Sequence, residues 1–255
     1  MTALDLTPAP AAVPVPRMVA AQAGYELRTM LRNGEQLLLT LIIPVVLLVL
    51  FATTSLLDLG PGRRVDFLAP GILALAVLST AFTGQAIGTG FERRYGVLKR
   101  LGATPLPRGG LIAAKTLAVL AVEAVQAAVI CGVALALGWR PHGDPFSVLV
   151  LLLLGTAAFS GFGLLMAGTL RAEATLGAAN LVYILLLAAG GVVFPLDDFP
   201  APVRDALELL PISALAEGLR DVLRDGAALP GVPLLVLAVW AVVGLVLAAR
   251  FFRWE

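Results

Sequence analysis

Residues 91–110, FERRYGVLKRLGATPLPRGG, form a short basic island between two long apolar runs. Islands of Lys and Arg between membrane spans mark the cytoplasmic face. The length suits about two or three helical turns, and Gly102 and Pro105 close them. Such an island reads as a small lever offered to a cytosolic partner. Working outward from it settles the fold class, because both flanks are long enough to cross a bilayer.

The chain has 255 residues, of which 59% are hydrophobic and 14% charged. Its mean hydropathy is +0.95. Soluble domains run near ~45–50% apolar and ~25% charged, so this is an integral membrane protein. The net charge of +1 gives no nucleic-acid footprint. Cys131, the one cysteine, lies in an apolar run and cannot build a disulfide framework or a Cys-rich metal site. His142, the one histidine, falls in the polar loop WRPHGDP and argues against zinc chemistry.

Six runs have the roughly 20 apolar residues a spanning helix needs. They fall near 37–57, 68–89, 111–138, 148–170, 174–194 and 230–250. Long runs without alternation are helices, and lipid admits only helices or closed barrels. The expected fold is an all-α membrane domain over 36–255, with both termini cytoplasmic. In that orientation twelve basic residues lie inside: Arg17, Arg28, Arg32, Arg93, Arg94, Lys99, Arg100, Arg108, Lys115, Arg171, Arg250 and Arg253. Six lie outside: Arg63, Arg64, Arg140, Arg204, Arg220 and Arg224. This is the direction of the positive-inside rule.

Three flanking segments complete the layout. Residues 1–16 are Pro/Ala-rich without a basic cluster, so they read as a disordered cytoplasmic tail rather than a signal peptide. Residues 17–35 read as an amphipathic interfacial helix, with Met18, Tyr25, Met30 and Leu31 toward the membrane and Arg28 and Arg32 toward headgroups or a partner. Residues 196–228 are too charged to span and too apolar to be a free loop; Pro211 divides them into two outer, re-entrant helices.

Gly109-Gly-Leu-Ile-Ala-Ala114-Lys115-Thr116 nearly matches a phosphate-binding loop, but Ala114 replaces the required glycine and the segment opens a span instead of following a strand. Lys115 is expected instead to snorkel at the cytoplasmic end of span three. In the island itself, Val97, Leu98 and Leu101 make an apolar strip on a helix, ringed by Glu92, Arg93, Arg94, Lys99 and Arg100. Such a strip can lie in a partner's groove while the charges set register. It can equally belong to a solvated loop, and the residues alone leave both open.

The stretch Glu92-Arg-Arg-Tyr-Gly96-Val-Leu98-Lys99-Arg100-Leu101-Gly-Ala-Thr-Pro105 resembles the E-x-G-x-L-K-x-L-x-x-x-P element of ABC-2 type transporter permeases. Arg32-Asn33 before a span holding Pro44 is similar to that family's entry into helix one. Gly190-Gly191 to Pro195-Leu196, Leu210-Pro211 and Ala216 to Arg220 are similar to its outer region. The likeness runs in order along nearly the whole chain and sits nearest the drug-exporter permeases of the daunorubicin-resistance kind. It implies a permease subunit in a bacterial cytoplasmic membrane, with a coupling helix over 91–105 docked on a separate ATPase. Glu92, Gly96, Leu98, Lys99, Leu101 and Pro105 would form that element, with Arg93, Tyr95 and Arg100 between them. It further implies two cytosolic ATPase subunits, a second permease subunit, and ATP and Mg held by the ATPases, with no cofactor on this chain and no catalytic site of its own.

Glu123 lies near mid-bilayer in span three, where a carboxylate costs roughly 2.5–3.5 kcal/mol to insert. It should face protein or water, and Gln126 shares its helix face. A substrate path or dimer seam is one reading, and a structural interhelical hydrogen bond the other. Small residues at Gly84, Gly88, Ala157, Gly161, Gly163 and Ala167 point to close helix packing, foremost within one subunit. An ion-coupled secondary transporter would want several intramembrane ionisable groups. A membrane-embedded enzyme would want a nucleophile–base pair, an acid dyad or clustered ligands. Glu123 is nearly alone and no second His exists, so the exporter of hydrophobic or amphipathic cargo that the resemblance implies leads, with an ion-coupled secondary transporter and then a membrane-embedded enzyme as the alternatives.

Overall fold

The computed structural model describes residues 13–34, 38–54, 59 and 62–252. Most of the expected tail, 1–12, lies outside them. The described residues are helical and contain no strand. In order they form α1 (Val15–Arg32), α2 (Ile43–Thr53), α3 (Arg64–Arg94), α4 (Val97–Gly102), α5 (Arg108–Ala136), α6 (Pro145–Thr169), α7 (Ala172–Ala189), α8 (Ala201–Glu208), α9 (Pro211–Leu223) and α10 (Gly231–Phe251). Five of these, α3, α5, α6, α7 and α10, are long and apolar enough to cross a membrane. The first expected span is described as a shorter apolar helix, Thr40–Thr53.

Helix α3 is the axis of the molecule: 94% of its apolar window is buried, and the core of large side chains is strung along it. Helices α2, α6, α7 and α9 pack against it. The heaviest helix–helix contact outside this axis joins α6 and α10. There Gly161 lies so close to Gly244 that a Cβ would stand 2.5 Å from its carbonyl carbon. With lipid as apolar as Leu, such close backbone approach is the main source of helix affinity. Gly163 likewise faces the Phe82 carbonyl of α3, so the Ala157–Gly161 and Gly163–Ala167 pairs serve packing within the chain, whereas a Cβ at Gly88 would meet nothing within 4 Å.

Pro44 explains the start of the second helix. It has no N–H to give the carbonyl four residues back, Thr40. The backbone there widens into a π-helical turn, Leu38–Ile42, before α2 begins. Gln126 of α5 adds a side-chain donor there, its Nε2 lying 2.6 Å from the Thr40 carbonyl oxygen. Its Oε1 accepts from Thr80 at 2.9 Å, and Thr80 sits in a second π-helical stretch, Leu78–Gly84, inside α3. One buried amide thus ties three helices together at two irregular turns.

The far end of the bundle is closed by the segment between α7 and α10. Helix α8 is amphipathic with no buried residue, whereas α9 is buried along most of its length between α3, α6 and α10. Arg220 of α9 is 3% exposed. It donates to the Phe67, Gly191 and Val192 carbonyls at 3.3, 2.6 and 3.0 Å and to Glu217 at 2.5 Å, with its guanidinium 3.8 Å from the Phe67 ring centre. Burial pulls this guanidinium below its ordinary value, with Glu217 opposing. Gly71 makes room for the loop that Arg220 holds: a Cβ there would stand 2.2 Å from the Val192 oxygen. The loop before α6 returns to α9, the backbone N–H of His142 donating to the Leu223 carbonyl at 2.8 Å. Asp144 then caps α6 by accepting from Ser147 N–H at 3.0 Å, and the Phe146 and Ser147 amides hold its carboxyl below the usual range.

Candidate functional site

At the opposite end, α3 runs to Arg94 before it breaks. Gly96 adopts φ +71°, a left-handed turn that glycine takes without steric cost. Helix α4 follows for only six residues. The expected continuous helix over 91–105 is therefore corrected to a bent element: the last turn of α3, a glycine hinge, and a short lever that ends where Thr104 bonds the Leu101 carbonyl at 2.6 Å. Pro105 and Pro107 carry the chain into α5, Pro107 standing at its N-cap.

The lever's two faces differ. Leu98 is fully buried and packs into the body of the chain, which corrects the expectation that the Leu98 strip faces a partner. Leu101 is half-buried. The free surface is polar and basic: Tyr95, 67% exposed, with Lys99, Arg100 and Pro105. Tyr95 stacks on Phe91, ring centres 6.1 Å apart.

Glu92 and Arg93 turn inward instead. Arg93 donates to the Ala167 carbonyl at 2.9 Å and the Leu170 carbonyl at 2.6 Å. These are end carbonyls of α6, which lack intrahelical partners and attract a cation. Arg94 pairs with Glu173 at the start of α7. The base of the lever is thus bolted to the α6–α7 turn.

Glu92 meets Lys115 of α5 at 2.6 Å, and Lys115 also meets Glu26 of α1 at 3.1 Å. Gln22 donates to Glu26 at 2.8 Å. Lys115 is only 5% exposed, so it does not snorkel as expected; it is the buried hub joining the N-terminal helix, the lever base and span three. Its place in the expected apolar run 111–138, rather than in the basic island before it, is the signal that an anion must stand at the same depth. Helix α1 starts two residues before the expected 17 and ends at Arg32.

Deeper in, Glu123 is 8% exposed and lies 2.6 Å from the Thr156 hydroxyl of α6; its Oε1 has no hydrogen-bond partner. The Thr156 hydroxyl is also 2.8 Å from the Leu152 carbonyl. Glu123 borders a cavity of about 100 Å³ with Leu73, Val77, Leu149 and Leu153. Gln126 borders it too, but both ends of its amide are taken up by Thr40 and Thr80. The two residues therefore share a helix face yet serve different neighbours. Among the described residues, no cluster of His, Cys, Asp and Glu could hold a metal ion.

A family model described as ABC-2 type transporter matches residues 20–223. That range begins inside α1 and ends with α9, so it takes in the lever, the Lys115 hub, Glu123 and the Arg220 clamp. No curated protein matches the chain.

Proposed function

The chain belongs to the ABC-2 type transporter family, and on that premise we propose that it is the permease subunit of an exporter driven by a separate ATPase. The observation that carries this reading is the lever: a short basic helix, free on one face and anchored at its base to three other elements. Two ATPase subunits, holding ATP and Mg, would grip the Tyr95, Lys99 and Arg100 face of two such permeases. Closure of the ATPases would push α4, and Gly96 lets α4 tilt while the Arg93 and Lys115 contacts pass the movement to α6, α5 and α1. The lever end is then the cytoplasmic end of a bacterial plasma-membrane protein. Both described termini lie there, α1 beside Lys115 and Phe252 beside Gly168.

The cargo is hydrophobic or amphipathic, and Glu123 with its cavity lies on its path through the bundle. Glu123→Gln is expected to change the rate or range of export, and unchanged export of several cargos would return Glu123 to a packing role. The docking face is tested by co-purification. Tyr95→Ala with Lys99→Glu and Arg100→Glu should abolish capture of a cytosolic ATPase subunit from the native membrane extract while leaving the membrane protein folded. Capture at the wild-type level would sink the assignment.

A further inference from the structure

A cavity of about 210 Å³ opens at the lever end between α1, α3 and α5. Its walls carry Glu26, Gln85, Glu92 and Lys115, with Met30, Phe91 and Val119 supplying apolar surface. Two independent features mark it as a binding site. First, its charged lining is two carboxylates around one ammonium, Lys115 being shared between Glu92 at 2.6 Å and Glu26 at 3.1 Å, so the carboxylate oxygens keep acceptor capacity that one ammonium does not use up. Second, Gln85 is 5% exposed and neither its amide nitrogen nor its amide oxygen has a hydrogen-bond partner. A buried amide left wholly unpaired costs stability and calls for a missing partner. Its last torsion is soft, so either atom can turn to a ligand.

Gln85 stands two helical turns from Glu92 along α3, about 10 Å at 1.5 Å per residue. We propose that this cavity binds a cationic amphiphile, its protonated amine at the Glu26–Glu92 mouth and a carbonyl, amide or hydroxyl group about 10 Å away on Gln85. The apolar walls take the body of the molecule. The opening beside the interfacial helix α1 admits such a compound from the adjoining leaflet. Calling this ligand cargo rests on the export reading; the binding itself does not.

The test is equilibrium binding to the full chain in lipid nanodiscs, without any ATPase. The probe is monodansyl-1,8-diaminooctane, which carries one free amine and a sulfonamide at suitable separation, compared with its N-acetylated, uncharged form. Wild-type protein should bind the amine about tenfold or more tightly than the acetylated form. Gln85→Leu should weaken amine binding by a similar factor while the melting temperature stays level or rises, because the substitution removes an unpaired buried amide. Equal affinity for the two probes, equal affinity of wild type and Gln85→Leu, or no binding of the amine overturns the proposal. Failure of the export reading would show separately, as absence of ATPase capture with amine binding intact.

Discussion

Lys115→Met removes the one cation shared by two buried carboxylates and keeps the length of the aliphatic stem. In the native chain Lys115 stands 2.6 Å from Glu92 and 3.1 Å from Glu26, and the side chains are only 23% and 8% exposed. Removing one member of a buried ion pair costs about 3–5 kcal/mol, because the other is left charged and poorly solvated. For a chain of this size each kcal/mol moves the melting temperature by ~2–4 °C. The expected fall is therefore roughly 6–20 °C, read by intrinsic fluorescence of the detergent-solubilised protein during heating. Adding Glu26→Leu and Glu92→Met to Lys115→Met should recover most of it, since replacing all charged members of a buried cluster by apolar residues of similar volume is nearly neutral. A single variant that melts within about 2 °C of wild type would refute the hub, as would a triple variant no better than the single.

Gly71→Ala should destabilise the fold by about 3 kcal/mol or more, because the new Cβ must displace the Val192 carbonyl that Arg220 holds; urea or SDS unfolding measures it. Gln126→Leu leaves the Thr40 carbonyl without its side-chain donor and is expected to cost about 1–2 kcal/mol, whereas Gln126→Glu at low pH, where it can still donate, should cost less. Arg93→Ala should spare ATPase capture but lower cargo-stimulated hydrolysis severalfold, since it frees the lever base from the α6–α7 turn; a variant with wild-type stimulation would contradict the transmission route.

Much of the fold is legible in the chain because lipid leaves few choices. An apolar run long enough to cross a bilayer must be a helix, and the Arg171-Ala-Glu173 break falls where α6 gives way to α7. The place of the lever is legible too, since Gly96 and Gly102 bracket one basic amphipathic turn. Its orientation is not. The strip of Val97, Leu98 and Leu101 says that one face is buried, but not whether the chain itself or a partner buries it. Leu98 turns out to serve the chain. Glu26 is hidden for a different reason: it lies 89 residues from Lys115 on a helix whose composition reads as interfacial. Arg220 sits among acids in a charged segment, where arginine is normally solvated, and it is the meeting of α9 with the start of α3 and the Gly191–Val192 loop that buries it. Gln126 was readable in principle. Pro44 has no N–H to give the carbonyl of Thr40, and a glutamine in a nearby apolar run is a natural side-chain donor to it.

Everything functional depends on α4 facing the cytosol and touching the ATPase. The direct measurement replaces Cys131 with Ala and Lys99 with Cys, then follows that thiol in two settings. In intact cells a membrane-impermeant maleimide should leave it unlabelled, and in inverted vesicles a short bifunctional crosslinker should join it to the ATPase, more so when nucleotide is trapped. Labelling of Lys99→Cys from outside intact cells would contradict the whole scheme.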